Sequence, residues 1–362
     1  MATLKLNEKD EVRRLIEVIK GETKGIKKPV NIMEICGTHT MDISRYGLRK
    51  LLPPTVNLIS GPGCPVCVTP IEDIDRAIEI AVQKDTITTT FGDMMRVPGT
   101  RSTLNAEKSK GADIRILYSP EDSLDIAQKN PGKNVVFIGI GFETTSPAIA
   151  ITVKEAKQKG INNFFVIPMF KTVIPPMEAL LSDPELKLDG FIAPGHVSAI
   201  IGAKPYEYLT SKYKKPCVIT GFEALDILQG IKMIVRQHMK NEGKVEIQYK
   251  RIVKYEGNPI ATAVMAEVFE AVDSNWRGIG VIPKSGLSFR ASYAGYNALN
   301  KFKIDISYSK EPAGCRCGEV LKGIIKPKQC GLFAKKCTPE HPIGACMVSA
   351  EGSCAAYFKY ER

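Results

Sequence analysis

The chain has 362 residues, 44% hydrophobic and 25% charged, with a formal net charge of +11. That composition excludes global disorder, collagen and coiled coil, and the length predicts two or three domains with real cores. The positive charge is scattered, as at Lys27–Lys28, Lys214–Lys215 and Lys335–Lys336, so a solvated basic surface is expected and not nucleic-acid binding.

Asn7 to Lys20 reads as an amphipathic helix with Val12, Leu15, Ile16 and Ile19 on one face, Asn7 as its cap and Gly21 at its end. From Val30 short apolar runs alternate with helical patterns. Strands are predicted at 30–35, 56–60, 86–91, 113–118, 135–140, 164–170, 191–194 and 217–222. Thr69 to Lys84 is a predicted helix opened by a capping box of Thr69, Pro70 and Glu72. Ser119-Pro120-Glu121 and Asn258-Pro259 repeat the cap-plus-proline start. Such alternation predicts an α/β fold with two parallel-sheet lobes flanking a cleft, plus a Cys-rich C-terminal region. The polar stretch 119–134 suggests the boundary between lobes. The expected units are 30–122, 123–240, and 241–362 joined by the helix 7–20.

No apolar run reaches the length of about eighteen residues that a transmembrane helix needs, so no membrane span is expected. The N-terminus is too charged for a secretory signal, which predicts a cytoplasmic protein with reduced thiols. Its ten cysteines then point to metal or redox chemistry ahead of disulfides.

Four polar motifs fall where predicted strands end, the place where parallel sheets bind ligands. Cys36-Gly37-Thr38-His39 delivers a thiol and an imidazole together, and a helix beginning near Thr40 would favour the thiolate. Cys64 and Cys67, in Gly61-Pro62-Gly63-Cys64-Pro65-Val66-Cys67, can close a small disulfide ring or clamp a thiophilic metal. Gly141-Phe142-Glu143-Thr144-Thr145 offers Glu143 as a base or ligand, against a simple helix-capping cluster. Pro194-Gly195-His196 supplies a second histidine. Gly92-Asp93-Met94-Met95-Arg96 is similarly placed, and a salt-bridged loop is its simpler reading. Together they suggest one cleft between the lobes. Cys217, inside an apolar strand, reads as core.

Six cysteines close the chain: Cys315, Cys317, Cys330, Cys337, Cys346 and Cys354. Their long gaps lack the paired knuckles of zinc sites, so a [4Fe–4S] cluster is preferred, with two thiols left over for a redox-active pair.

The motifs at Cys36–His39, Gly61–Cys67, Gly141–Pro147 and Pro194–Ser198, with a tail reading CRCGEVLKG followed by spaced cysteines and GACMVS, closely resemble HypD, a family of hydrogenase-maturation proteins. The family helps to build the Fe(CN)2CO unit of [NiFe] hydrogenases. The resemblance implies two α/β lobes and a third, iron–sulfur region. It implies a complex with a HypC-like small chaperone, on which iron receives cyanide and carbonyl, and a HypE-like donor of cyanide made with HypF. The family's ligand pattern falls on Cys315, Cys330, Cys337 and Cys354, leaving Cys317 and Cys346 as the redox pair. On this reading Cys36 is the principal ligand of the maturing iron, and His39 and His196 orient or move protons near it. Cys64 and Cys67 cycle between dithiol and disulfide or hold iron transiently, and Glu143 and Thr144 line the cleft. Two alternatives stand beside it: a passive iron scaffold with a structural cluster, and a cluster-driven thiol–disulfide reductase.

Overall fold

The computed structural model describes residues 6–362, with side chains from Glu8 onward. Its strands are β1 (Val30–Glu34), β2 (Val56–Ser60), β3 (Thr86–Thr90), β4 (Asp113–Ile116), β5 (Asn134–Gly141), β6 (Phe164–Lys171), β7 (Gly190–Pro194), β8 (Cys217–Thr220), β9 (Val245–Ile247), β10 (Phe269–Trp276) and β11 (Gly280–Phe289). All eight predicted strands form. The fold is α/β with two sheets and a Cys-rich C-terminal region, as expected.

The first sheet has the order β2-β1-β7-β8-β9 and is parallel throughout. In the second, ordered β10-β11-β6-β5-β3-β4, the strands β4, β3, β5 and β6 run parallel. The antiparallel hairpin β10–β11 extends it beside β6. The sequential division at 122/123 therefore needs correction. The strands β3 and β4, expected in the first lobe, lie in the second sheet, and β7 and β8 return to the first. Each lobe is completed by chain from the other side of the expected boundary, because parallel neighbours need long crossovers that a chain can spend in another lobe.

Burial explains the strand assignment. Every residue of β3, β7 and β8 is buried, which suits parallel strands covered on both faces. One apolar core spans the space between the sheets, and two smaller cores back each sheet on its outer side. The N-terminal helix Leu6–Glu22 packs on the helix Ala224–Met239 behind the first sheet, not with the Cys-rich region. Gly21 lies within its last turn, and the side chain of Asn7, the expected cap, lies outside the described residues.

The capping box at Thr69 does not form. A short helix Pro65–Val68 precedes it, Thr69 is the C-cap of that helix, and the Thr69 hydroxyl donates to Pro65 O at 2.8 Å. The next helix, Ile71–Ala81, begins on Pro70 without a side-chain cap. By contrast, Asn258 does cap the helix Pro259–Val268, accepting from the Ile260 and Ala261 N–H groups. The last helix, Ser353–Tyr360, docks on the helix Gly37–Tyr46 that follows β1. That contact brings the tail to the mouth of the first sheet.

Candidate functional site

Loops from both sheets meet in one cleft of about 240 Å³. The first sheet contributes Cys36 and Thr38 after β1, Gly63 and Pro65 after β2, and Pro194 and His196 from the end of β7 and the first turn of the helix Gly195–Ile201. The second contributes Phe142, Thr144 and Thr145 after β5, and Val173 after β6. The tail adds Glu351. The convergence expected from strand-end motifs is thus realised for Cys36, Thr144 and His196.

Cys36 is the extended residue that opens the helix Gly37–Tyr46, which starts earlier than the predicted Thr40. A Cβ on Gly63 would lie 2.2 Å from Cys36 N, so only glycine lets the Gly61–Cys67 loop seat against Cys36. The Thr38 hydroxyl donates to Glu351 Oε1 at 2.6 Å and ties the tail to this loop. Burial pushes the Cys36 thiol up to about 12, although the His39 and Thr38 N–H groups favour the thiolate. The expected stabilisation by a helix N-terminus is therefore present but outweighed by desolvation.

The two histidines separate. His196 is exposed to the cleft, whereas His39 is fully buried behind it. Phe222 lies between them, with ring centroids 3.9 Å from His196 and 4.6 Å from His39. His39 Nε2 is 2.9 Å from Gly221 O, and a carbonyl only accepts, so Nε2 carries the proton. Burial lowers its pKa to about 4, which keeps the imidazole neutral. His39 therefore braces the wall of the cleft and does not line it.

Glu143 also lies behind the wall made by its neighbours. Its Oε1 accepts from the Val173 N–H at 2.9 Å, and Oε2 has no partner. Burial pushes this carboxyl from 4.5 to about 7, against the pull of the Val173 N–H. A folded-state pKa above the unfolded one favours folding of the protonated form. That contribution is complete below pH 4.5 and lost as pH rises through 7. The displacement corresponds to roughly 3 kcal/mol. Glu143→Gln should therefore flatten the pH dependence of the urea midpoint across this window. An unchanged slope would show that Glu143 ionises freely in the fold.

The thiols form a line that is buried from Cys64 to Cys317 and ends at the half-buried Cys315. Cys67 N–H donates to Cys64 Sγ at 3.3 Å. The Cys67 thiol interacts with Cys64 and Cys346, Cys346 with Cys317, and Cys317 with Cys315. All ten cysteines are free, and Cys217 sits in the core as expected. Burial holds the thiols of Cys67 and Cys354 well above their ordinary range.

All six tail cysteines line a single small cavity with Leu332, Phe333 and Met347. A Cβ on Gly344 would lie 2.6 Å from Cys315 Sγ and 3.8 Å from Cys317 Sγ, so a side chain there would fill the cradle. Among the described residues no three His, Cys, Asp or Glu side chains converge as for one metal ion. An iron–sulfur cluster spreads its four thiolates over different irons, so this donor set fits such a cluster. Arg96 of the Gly92–Arg96 motif does not enter the cleft. Its Nη2 donates to Val348 O at 3.0 Å and fastens the tail to the second sheet.

Three contributors carried little sequence signal. Glu351 is a lone acid that meets Thr38 across 313 positions. Phe222 reads as the end of a strand, and Arg277 lies beyond the last predicted strand. Only the fold brings them to the site.

The HypD family model, described as "Hydrogenase formation hypA family", matches residues 10–361. The "Hydrogenase maturation factor HypD" of Rhodobacter capsulatus is 48% identical over 355 residues, covering 97% of this chain and 93% of its own. The protein of the same name from Escherichia coli (strain K12) is 45% identical, covering 98% and 96%. That of Cupriavidus necator is 47% identical, covering 92% and 90%. The matched span 10–361 runs across the cleft loops and the Cys-rich tail, and the chain belongs to the HypD family of hydrogenase maturation proteins.

Proposed function

We propose that this chain holds iron as cargo in the cleft while cyanide and carbonyl ligands are assembled on it for a [NiFe] hydrogenase. Cys36 is the thiolate ligand from this chain, a HypC-like chaperone supplies the opposing ligand, and a HypE-like protein delivers cyanide. The observation that carries this reading is the line of thiols running from the cleft loop at Cys64 to the tail cavity.

A soft thiolate suits iron with strong-field ligands. Because burial holds the Cys36 proton, iron can bind only as that proton leaves, so loading is coupled to proton release. His196, facing the cleft, is placed to bond a diatomic ligand or move a proton. Cys64 and Cys67 can together give up two protons and two electrons as they close a disulfide, or accept both in reopening it. Cys317 and Cys346 would be the redox pair, with Cys346 meeting Cys67 where that loop reaches the tail cavity. Cys315, Cys330, Cys337 and Cys354 would hold a [4Fe–4S] cluster. When bound, it supplies electrons one at a time.

A cytoplasmic setting suits ten free thiols. Among the described residues no helix is long and apolar enough to cross a membrane. The passive scaffold remains the second reading, and the high pKa values of Cys36 and Cys67 favour it because thiols held protonated resist redox exchange.

Anaerobically purified protein, with and without its small chaperone, separates the two. Electron paramagnetic resonance should show a reducible cluster, and infrared spectroscopy of the complex should show cyanide and carbonyl bands. A cluster inert to reductant, with Cys64 and Cys67 unchanged in redox state, would support the scaffold.

A further inference from the structure

Strands β5 and β8, one in each sheet, run out into the same tripeptide: Gly141-Phe142-Glu143 and Gly221-Phe222-Glu223. In the first, Phe142 lines the cleft and Glu143 accepts from the Val173 N–H. In the second, Glu223 is exposed and Phe222 stands between the two histidines.

Phe222 is firmly held. His39 stacks on one face with the planes 26° apart, and Tyr249 meets the ring edge-on at 6.0 Å. The residue before it is pinned at both backbone groups. Gly221 O accepts from His39 Nε2 at 2.9 Å, and Gly221 N–H donates to Gln248 Oε1 at 3.1 Å. Gln248 Nε2 and both Arg251 Nη atoms donate to the buried Asp226 carboxylate, and the Arg251 guanidinium lies 4.4 Å from the Tyr249 ring centre.

His196 is held differently. Among the described residues no hydrogen bond fixes its ring. Instead the imidazole lies nearly flat on Phe222, with centroids 3.9 Å and planes 25° apart. A Cβ on Gly195 would lie 2.4 Å from Thr220 O and 3.3 Å from Phe222 Cε2, so only glycine lets the two loops close to this distance. Both imidazole nitrogens bond in the plane of the ring. A ring seated on Phe222 therefore offers its edge, with the nitrogens, and not its face.

We infer that Phe222 is a positioning residue: braced on His39, it fixes the ring of His196 so that a nitrogen edge meets the cargo in the cleft. This rests on the reading of the cleft as an iron-assembly site. The buried His39 then serves the chemistry through Phe222 without touching the cargo.

Two measurements test it, and the first needs no iron. The chain has four histidines, so NMR relaxation of ring carbons in anaerobic full-length protein labelled at histidine can read the mobility of each. Wild-type His196 should be as rigid as the buried His39, with the exposed His341 mobile. Phe222→Leu should weaken the preference for one ring orientation by roughly two- to tenfold and free His196 toward the mobility of His341. Phe222→Tyr keeps the ring and should leave His196 rigid. A wild-type His196 as mobile as His341 overturns the inference, even if Phe222→Leu fails to fold. So does a His196 that stays rigid in folded Phe222→Leu protein.

The second is infrared spectroscopy of the complex with the small chaperone. Phe222→Leu should shift the cyanide and carbonyl bands in the same direction as His196→Ala, and should add no shift in a His196→Ala background. Equal shifts with and without His196 would make Phe222 a plain wall residue and overturn the inference. Failure of the underlying reading looks different. The wild-type complex itself would then show no such bands, while the mobility of His196 would still decide whether Phe222 holds it.

Discussion

Replacing Cys36 by alanine should abolish the cyanide-bearing iron complex while leaving the tail cluster signal in place. Among the cleft-lining side chains, Cys36 is the only thiol. Cys64, in the neighbouring loop, is turned inward and accepts the Cys67 N–H at 3.3 Å. No nearby sulfur can therefore substitute without moving the Gly61–Cys67 loop, which is seated on the Cys36 backbone. His196 could bind iron, but a neutral imidazole is a harder and less electron-donating ligand than a thiolate. The measurement is infrared spectroscopy of the purified complex with the small chaperone. Retained cyanide and carbonyl bands in the Cys36→Ala complex would remove Cys36 from the ligand set. Cys36→Ser tests softness: an oxygen of similar size should also fail to retain the bands. Its stability should be close to wild type, since it replaces one small buried group by another that Thr38 and Glu351 can hydrogen-bond.

The motifs in the cleft were legible because parallel-sheet strands leave a strong trace. Runs such as Val135–Ile140 are apolar throughout, and polar groups immediately beyond their ends stand out. What such runs do not encode is which sheet they join. The strand β3 is TITTT and β1 is VNIME, and nothing local says that they part company. Hence the sequential lobe boundary was wrong although every predicted strand was present. The hairpin β10–β11 escaped notice for a related reason. As an edge ribbon it exposes one face, so its residues alternate with polar ones, and its apolar pattern is diluted by Asp273, Ser274 and Asn275. Roles within a motif were harder still. His39 and His196 each lie within two residues of a glycine just past a strand end, yet one is buried and the other faces the cleft. Their difference is set by Phe222, which arrives from a third loop.

Arg49→Met should cost about 3–5 kcal/mol of folding stability, a large share of the ~5–15 kcal/mol of an ordinary domain. Arg49 Nη2 donates to Glu34 Oε1 at 2.6 Å and to Ser60 Oγ at 2.9 Å. Its Nη1 donates to Glu361 Oε1 at 2.8 Å and to Ser44 Oγ at 3.0 Å. The same guanidinium lies 4.9 Å from the Tyr357 ring centre. One side chain thus joins the ends of β1 and β2, the helix bearing Thr38, and the C-terminal helix that follows Glu351. Methionine fills similar volume but leaves Glu34 buried with no counter-charge. Burial already holds the Glu34 carboxyl above its ordinary value, against the pull of Arg49. Without Arg49 it should protonate more readily, so the deficit of the mutant should narrow as pH falls. Arg49→Lys should recover only part of the loss, because a point charge cannot bridge both carboxylates as the planar fork does. The double substitution Arg49→Met with Glu34→Gln should recover more than Arg49→Met alone, since the orphaned charge is gone. These changes are read from urea midpoints with and without the small chaperone. A loss below about 1 kcal/mol would place the pair among ordinary solvated salt bridges. A loss of the expected size, accompanied by weaker chaperone binding, would show that this network keeps the tail at the cleft and Glu351 within reach of Thr38.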